Sequence, residues 1–270
     1  MAVPRSVDAP PPSAAARPML IDGTIAALFA LGFAAGALNA VAGGGPIIVV
    51  AALAALGVRA DIANLTSTVA LLPGQMAAGW MARASLAALG PARARRWLVG
   101  IGLAGGAAGA LLLLVTPARV FAFLLPWLIL FATALYAISS RPALRPAASG
   151  RAGGGRVAFT GLAVYGGFYG GGNSFMVLAL LARRGLDARA AGHAKNLLIL
   201  LVNLSAAVVF LGSGAVAGAI AWPLGAGALA GSVAGVRLID RIAPDRLRLV
   251  VILCGGGLAL WLLLRTFGIA

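Results

Sequence analysis

Ten apolar stretches, two of whose junctions are each built on three consecutive glycines, at 43–45 and 170–172, restrict this chain more than any other feature. Apolar character runs over residues 22–41, 46–56, 62–82, 97–115 and 118–138, and again over 157–169, 174–182, 191–211, 216–236 and 249–266. A water-soluble domain carries about a quarter charged residues. Here 10% are charged and 61% hydrophobic. In hydrocarbon every backbone amide must be satisfied internally, which helices do within one segment. The expected fold class is therefore an all-α membrane protein of about eight to ten hydrophobic segments.

The chain has 20 Arg and one Lys against six Asp and no Glu, a net charge of +15. Nucleic-acid binders gather such charge on one folded face, whereas these arginines sit in the breaks between apolar runs. The excess is a topology signal, and no nucleic-acid partner is expected. The single Cys254 lies in an apolar run, leaving no internal disulfide and no Cys metal site; no metal or cofactor is expected. Residues 1–20, rich in Ala and Pro, read as a disordered tail. A cleaved leader is the rival reading, disfavoured because the same region recurs later in the chain.

That recurrence divides the chain into a first membrane repeat at 21–138, a linker at 139–156 and a second repeat at 157–270. Gly43, Gly44 and Gly45 align with Gly170, Gly171 and Gly172 at an offset of 127, and Gly57 aligns with Gly185 after one insertion. Five segments per unit is odd, so the second copy enters the bilayer from the opposite side. With 83–96 inside, the inner loops hold fifteen Arg and the outer regions only Arg5, Arg17, Arg59, Arg119 and Arg265. The expectation is two inverted-topology repeats. The pieces beside the glycine runs are short: 46–56 would measure about 16 Å and 157–169 about 20 Å as helices, against a core of roughly 30 Å. Each glycine run is thus expected at the tip of a broken, re-entrant helix pair, followed by three spans.

Three features have the chemistry to meet a ligand. The first is the pair of breaks, Gly43-Gly44-Gly45-Pro46 and Gly170-Gly171-Gly172-Asn173-Ser174. Pro46 is placed as a first-turn proline, and Asn173 or Ser174 as an N-cap. Free amides and a positive dipole end would then face the protein centre from both copies, an arrangement suited to an anion. Close packing through small residues is the competing reading. The second feature is a polar stripe: Asn64, Thr68 and Gln75 share a helix face, and Thr68 and Gln75 correspond to Asn196 and Asn203 at an offset of 128. Such side chains bond a substrate oxyanion or glue helices together. The third is His193-Ala194-Lys195-Asn196, with the only His and only Lys. Helical spacing makes His193 and Asn196 neighbours and turns Lys195 elsewhere. Lys195 would supply a compact ammonium, and His193 is the candidate for coupling to a proton; the competing reading puts both at the membrane interface, with Lys195 snorkelling. Glycines at 102, 105, 106 and 109, and at 227, 231 and 235, are spaced for close helix contact, within the chain or between copies in a homo-oligomer.

The Gly-Gly-Gly-Pro break followed by "GVRADIANLTSTVAL", the second break "YGGGNSF", and "AGHAKNLLILLVNLSAAVVF" before a glycine-rich span resemble the sulfite exporter TauE/SafE family of membrane permeases, over residues 22–266. The resemblance implies a plasma (inner) membrane, multi-pass carrier of small sulfur-containing or organic anions such as sulfite, sulfonates or thiosulfate. It implies Gly43, Gly44, Gly45, Thr66 and Ser67 in the first copy, and Gly170, Gly171, Gly172, Lys195, Asn196 and Asn203 in the second, as pattern residues. His193-Ala194 departs from the family pattern, where a small residue and Thr are expected. A membrane-embedded enzyme is disfavoured by the single His and by acids confined to the margins of the apolar segments. An assembly factor is disfavoured by the shortness of the linkers.

Overall fold

The computed structural model describes residues 16–41, 43–139, 152–186 and 188–238, and seven isolated helical positions between 253 and 264. Every regular element among the described residues is helical. The first half gives α1 (Ala16–Val41), α2 (Gly45–Ala55), α3 (Ala60–Met81), a 3-10 helix (Arg83–Leu89), α4 (Ala92–Val115) and α5 (Ala118–Ser139). The second gives α6 (Ala152–Phe168), α7 (Asn173–Arg183), α8 (Ala188–Gly212) and α9 (Gly218–Leu238). Nine of the ten apolar segments thus appear as helices with nearly the expected bounds. The first fifteen residues of the expected tail, residues 140–151 of the linker and most of the segment 249–266 lie outside the described residues.

Among the described residues, four helices are long and apolar enough to cross a bilayer: Gly23–Val41, Ala92–Val115, Ala190–Gly212 and Gly218–Leu238. The chain is an integral membrane protein. At 26 residues α1 is much longer than its 17-residue counterpart α6, so the helix pairs at the two glycine breaks are unequal in length.

The glycine punctuation has the same geometry in both halves. Gly43 and Gly170 follow α1 and α6 with φ of 89° and 74°, and Gly57 and Gly185 follow α2 and α7 with φ of 83° and 84°. After α2 the amide of Val58 donates to Leu53 O at 3.0 Å, and after α7 that of Leu186 donates to Leu181 O at 3.3 Å. Both are Schellman-type endings, which need a left-handed residue that glycine supplies without a Cβ penalty.

Contacts along the helices fix their directions. Gly32 of α1 lies on Leu224 of α9 and Gly36 on Ala228, while Gly225 of α9 lies on Ala70 of α3 and Gly74 on Ala228. Thus α1, α3 and α9 run in parallel. Gly105 of α4 meets Ala163 of α6 and Gly109 meets Phe168, while Gly102 and Gly106 meet Leu201 and Val202 of α8. Thus α4, α6 and α8 also run together. Across the centre, Gly79 and Gln75 of α3 meet Leu200 and Asn203 of α8, which makes the two groups antiparallel. The packing is reciprocal: the first helix of each half packs on the fourth helix of the other. At these seams the glycines face backbone atoms directly; a Cβ at Gly36, Gly109, Gly227 or Gly231 would overlap a carbonyl of the neighbouring helix. The glycine faces are occupied within the chain.

Helix α7 folds back along α6. Gly155 near the start of α6 lies beside Leu180 and Arg184 at the end of α7, and Gly166 beside Asn173 at its start. α2 likewise begins against Ala35 and Asn39 of α1. These directions sort the described arginines. Arg83, Arg93, Arg95, Arg96, Arg156, Arg184 and Arg237 lie at one end of the bundle, and Arg59 and Arg119 at the other.

Candidate functional site

At the first break the amide of Gly43 donates to Leu38 O at 3.0 Å and closes α1. Gly44 then stands as N-cap of α2 with no side-chain cap, and Pro46 occupies the first turn. A helix C-terminus leaves carbonyls without intrahelical partners. Two of those ending α1 are taken by α8: Lys195 Nζ donates to Asn39 O and Ala40 O, both at 3.2 Å, and Asn196 Nδ2 approaches Ala40 O at 3.4 Å. At the second break Asn64 Nδ2 of α3 donates to Phe168 O, the last residue of α6, at 3.0 Å. Each break is therefore closed by the third helix of the opposite half. A lysine Nζ and an asparagine amide do so at one break, and a single asparagine amide at the other.

The breaks touch. A Cβ on Gly43 would fall on the side chain of Ser174, the second residue of α7. Next to this contact lies a cavity of about 10 Å³ between Asn39, Ala40, Gln75, Ala78, Ser174, Asn196, Ile199 and Ser232, room for about one water. Gln75 on its wall accepts a hydrogen bond at Oε1 from Asn203 Nδ2 at 2.9 Å. These two residues stand at equivalent positions of the two halves. Gln75 Nε2, Asn203 Oδ1 and Asn173 Nδ2 are buried without a partner among the described residues.

Charge is as uneven as the geometry. Lys195 is 0% exposed, and the ion pair among the described residues, Arg59 with Asp61, is at the distant start of α3. A buried charge is costly unless an opposite charge or a full set of hydrogen bonds meets it. Lys195 has two carbonyl oxygens and no carboxylate among the described residues.

The structure brings together Gly43, Gln75, Lys195, Asn196 and Asn203 around the meeting of the breaks. Thr68 stands at the second break, its Oγ1 3.6 Å from where a Cβ on Gly170 would lie. Gly45 packs on Asn39, Gly171 against the ring of Tyr169, and Asn173 beside Gly166; Gly44 and Gly172 precede α2 and α7. Ser67 and Thr68 return their hydroxyls to Asn64 O at 2.9 and 3.1 Å. Thr66 lies elsewhere: its Oγ1 accepts from the amide of Ala217 at 3.1 Å and caps the start of α9. His193 is partly buried, off the cavity wall, with Nδ1 unpartnered.

Helical spacing turns Lys195 away from Asn196, yet both reach Ala40 O. The α1 terminus sits between the two directions, and a four-carbon stem spans the difference. Interfacial snorkelling is likewise corrected, since Lys195 is fully enclosed. Asn39, Ser174 and Ser232 on the cavity wall were not among the expected site residues. Asn39 and Ser174 flank the glycine runs, a signal present in the sequence. Ser232, whose Oγ donates to Gly36 O at 3.1 Å, is hidden within a glycine-spaced run.

The family model described as Sulfite exporter TauE/SafE matches residues 28–262. The chain belongs to this family. As a TauE/SafE protein it is a membrane transporter, in a family of transporters rather than enzymes. The match takes in both breaks, the buried lysine and the Gln75–Asn203 pair. No curated protein and no solved structure matches the chain.

The Gln75–Asn203 bond makes a measurable prediction for this TauE/SafE chain. Gln75→Ala and Asn203→Ala should each destabilise by about 1–3 kcal/mol, because each leaves a buried amide unpaired. The double variant should fall short of the sum by about 0.5–3 kcal/mol. Unfolding of all four proteins in one detergent measures this, and strict additivity would show that the bond is not formed.

Proposed function

We propose that the protein is a multi-pass carrier of the plasma (inner) membrane that moves a small anion, sulfite, a sulfonate or a related sulfur-containing or organic anion, by alternating access. The observation that carries this reading is the enclosed Lys195 at the contact of the two glycine breaks, a cation without a carboxylate among the described residues. A substrate anion supplies the missing charge. The starts of α2 and α7 add backbone amides and the positive ends of their dipoles, each equivalent to roughly half a charge.

In this reading Gln75, Asn196 and Asn203 are direct polar contacts, with Gly43–Gly45, Gly170–Gly172, Thr68 and Asn173 shaping the two sides; Thr66 ties α3 to the start of α9 and Ser67 bonds within its own helix. His193, three residues from Asn196, is the proposed coupling residue for a proton. The opposed directions of α3 and α8, and of α4 and α9, support two inverted repeats. The hairpin of α6 and α7 supports a re-entrant pair. A cavity sized for one water must widen to take an oxyanion, and rocking of the α1–α3–α9 group against the α4–α6–α8 group about the α3–α8 contact would open it to alternate sides.

The test is a melting-temperature screen of the purified protein against sulfite, thiosulfate, sulfonates, carboxylates and metal cations, joined to flux in proteoliposomes. Sulfur oxyanions should raise the melting temperature, by mass action on the folded state. Asn196→Ala and Asn203→Ala should lower flux while expression holds. Stabilisation by cations alone would overturn the anion reading, and unchanged flux in both variants would remove these residues from the site.

A further inference from the structure

We infer that the arginine-rich end of the α4–α6 pair binds the phosphate headgroup of an anionic phospholipid, at a site separate from the central one. Because α4 and α6 run in parallel, their first turns lie at the same end of the bundle. There the Arg156 guanidinium sits 5.6 Å from the centroid of the Trp97 ring. Arg184, arriving from the end of α7, places Nη2 3.5 Å from where a Cβ on Gly155 would lie. Three elements thus converge on the start of α6. Arg93 and Arg96 are exposed in the first turns of α4, while Arg95 is tied back to Gly90 O at 2.9 Å.

Arginine beside a helix N-terminus works against the helix dipole. Neither α4 nor α6 has an acidic residue in its first turn. Topology accounts for arginines on this side of a membrane, but not for one guanidinium held over an indole while a second, from after α7, reaches the start of the same helix. A phosphodiester reverses the local balance by meeting both guanidinium groups and both helix starts.

Lipid is favoured over free phosphate by what lies beside the charges. Trp97 packs on Phe159 with ring centroids 6.1 Å apart. Val157, next to Arg156, is 77% exposed, and Val99 is exposed on α4. Exposed apolar side chains on both helices, within three residues of Arg156 and Arg96, are thus available to acyl chains beside the charges, the pattern of anionic-lipid sites between membrane helices.

The experiment is a thermal-unfolding titration of the full chain in neutral detergent with phosphatidylglycerol, phosphatidylcholine or inorganic phosphate, and native mass spectrometry of lipid adducts. Phosphatidylglycerol should raise the melting temperature by several degrees and leave retained adducts. The double variant Arg156→Gln/Arg184→Gln should weaken this response about tenfold or more, whereas Arg59→Gln/Arg119→Gln at the opposite end should keep it. Both pairs are exposed to solvent or lipid, and the adduct measurement tests binding even if a melting temperature shifts. Equal responses to phosphatidylcholine, an equal response from the Arg156/Arg184 variant, or full stabilisation by inorganic phosphate would each overturn the proposal.

Discussion

Replacing Lys195 with Met is expected to lower sulfite flux in proteoliposomes by at least about thirtyfold, since deleting one member of a desolvated charge pair costs about 2–5 kcal/mol or more. The folded protein should survive. The substitution leaves Asn39 O and Ala40 O without their lysine donor, a loss of about 1–3 kcal/mol, but also removes a buried charge whose enclosure opposes folding. Lys195→Arg should not restore transport: the position is fully enclosed, and a planar guanidinium is too broad for the space an ammonium fills. Flux within twofold of the parent, from a normally folded Lys195→Met protein, would reduce the residue to a helix cap.

The largest structural effect is expected from Gly231→Val. A Cβ there would overlap Phe33 O and approach the rest of that peptide unit. Backbone within a packed helix has no alternative rotamer, so α1 and α9 must separate. Overpacking costs typically 1–3 kcal/mol and occasionally more, and a seam of repeated contacts at Gly32, Gly36, Gly227 and Gly235 places this one at the upper end. Fluorescence-detected size exclusion should show loss of the monodisperse species. Gly161→Ala is the matched control, since nothing lies within 4 Å of the added carbon. Equal behaviour of the two variants would mean that helix propensity, not the seam, sets the outcome.

The sequence shows most of this fold because glycine and proline act locally. The triple glycines at 43–45 and 170–172 each separate two helices, although Gly153–Gly155 lie inside α6, and Pro46 and Gly57 bracket α2 in the sequence as they do in space. Arginine placement sorts by end for the same reason, as each loop answers to the nearest membrane surface. The site was only partly legible. The offset of 128 picks out Gln75 and Asn203, but their hydrogen bond to each other depends on which helices lie at the centre, a property of the assembled halves. Lys195 is the clearest loss: a helical wheel places its Cβ, while the destination of its Nζ is decided by the end of a helix 155 residues earlier. Thr66 shows the opposite case, where adjacency to Ser67 and Thr68 in sequence conceals a different neighbour, the start of α9.

The glycine seams also limit how the molecule moves. Where main chain lies on main chain there are no interlocking knobs to withdraw, so in the proposed cycle α1 with α9, and α4 with α6, would move as solid slabs. In the proposed cycle, room for a passenger would arise in the layer between the slabs, where amides such as Gln75 and Asn203 can exchange partners more readily than a carbonyl wall gives way.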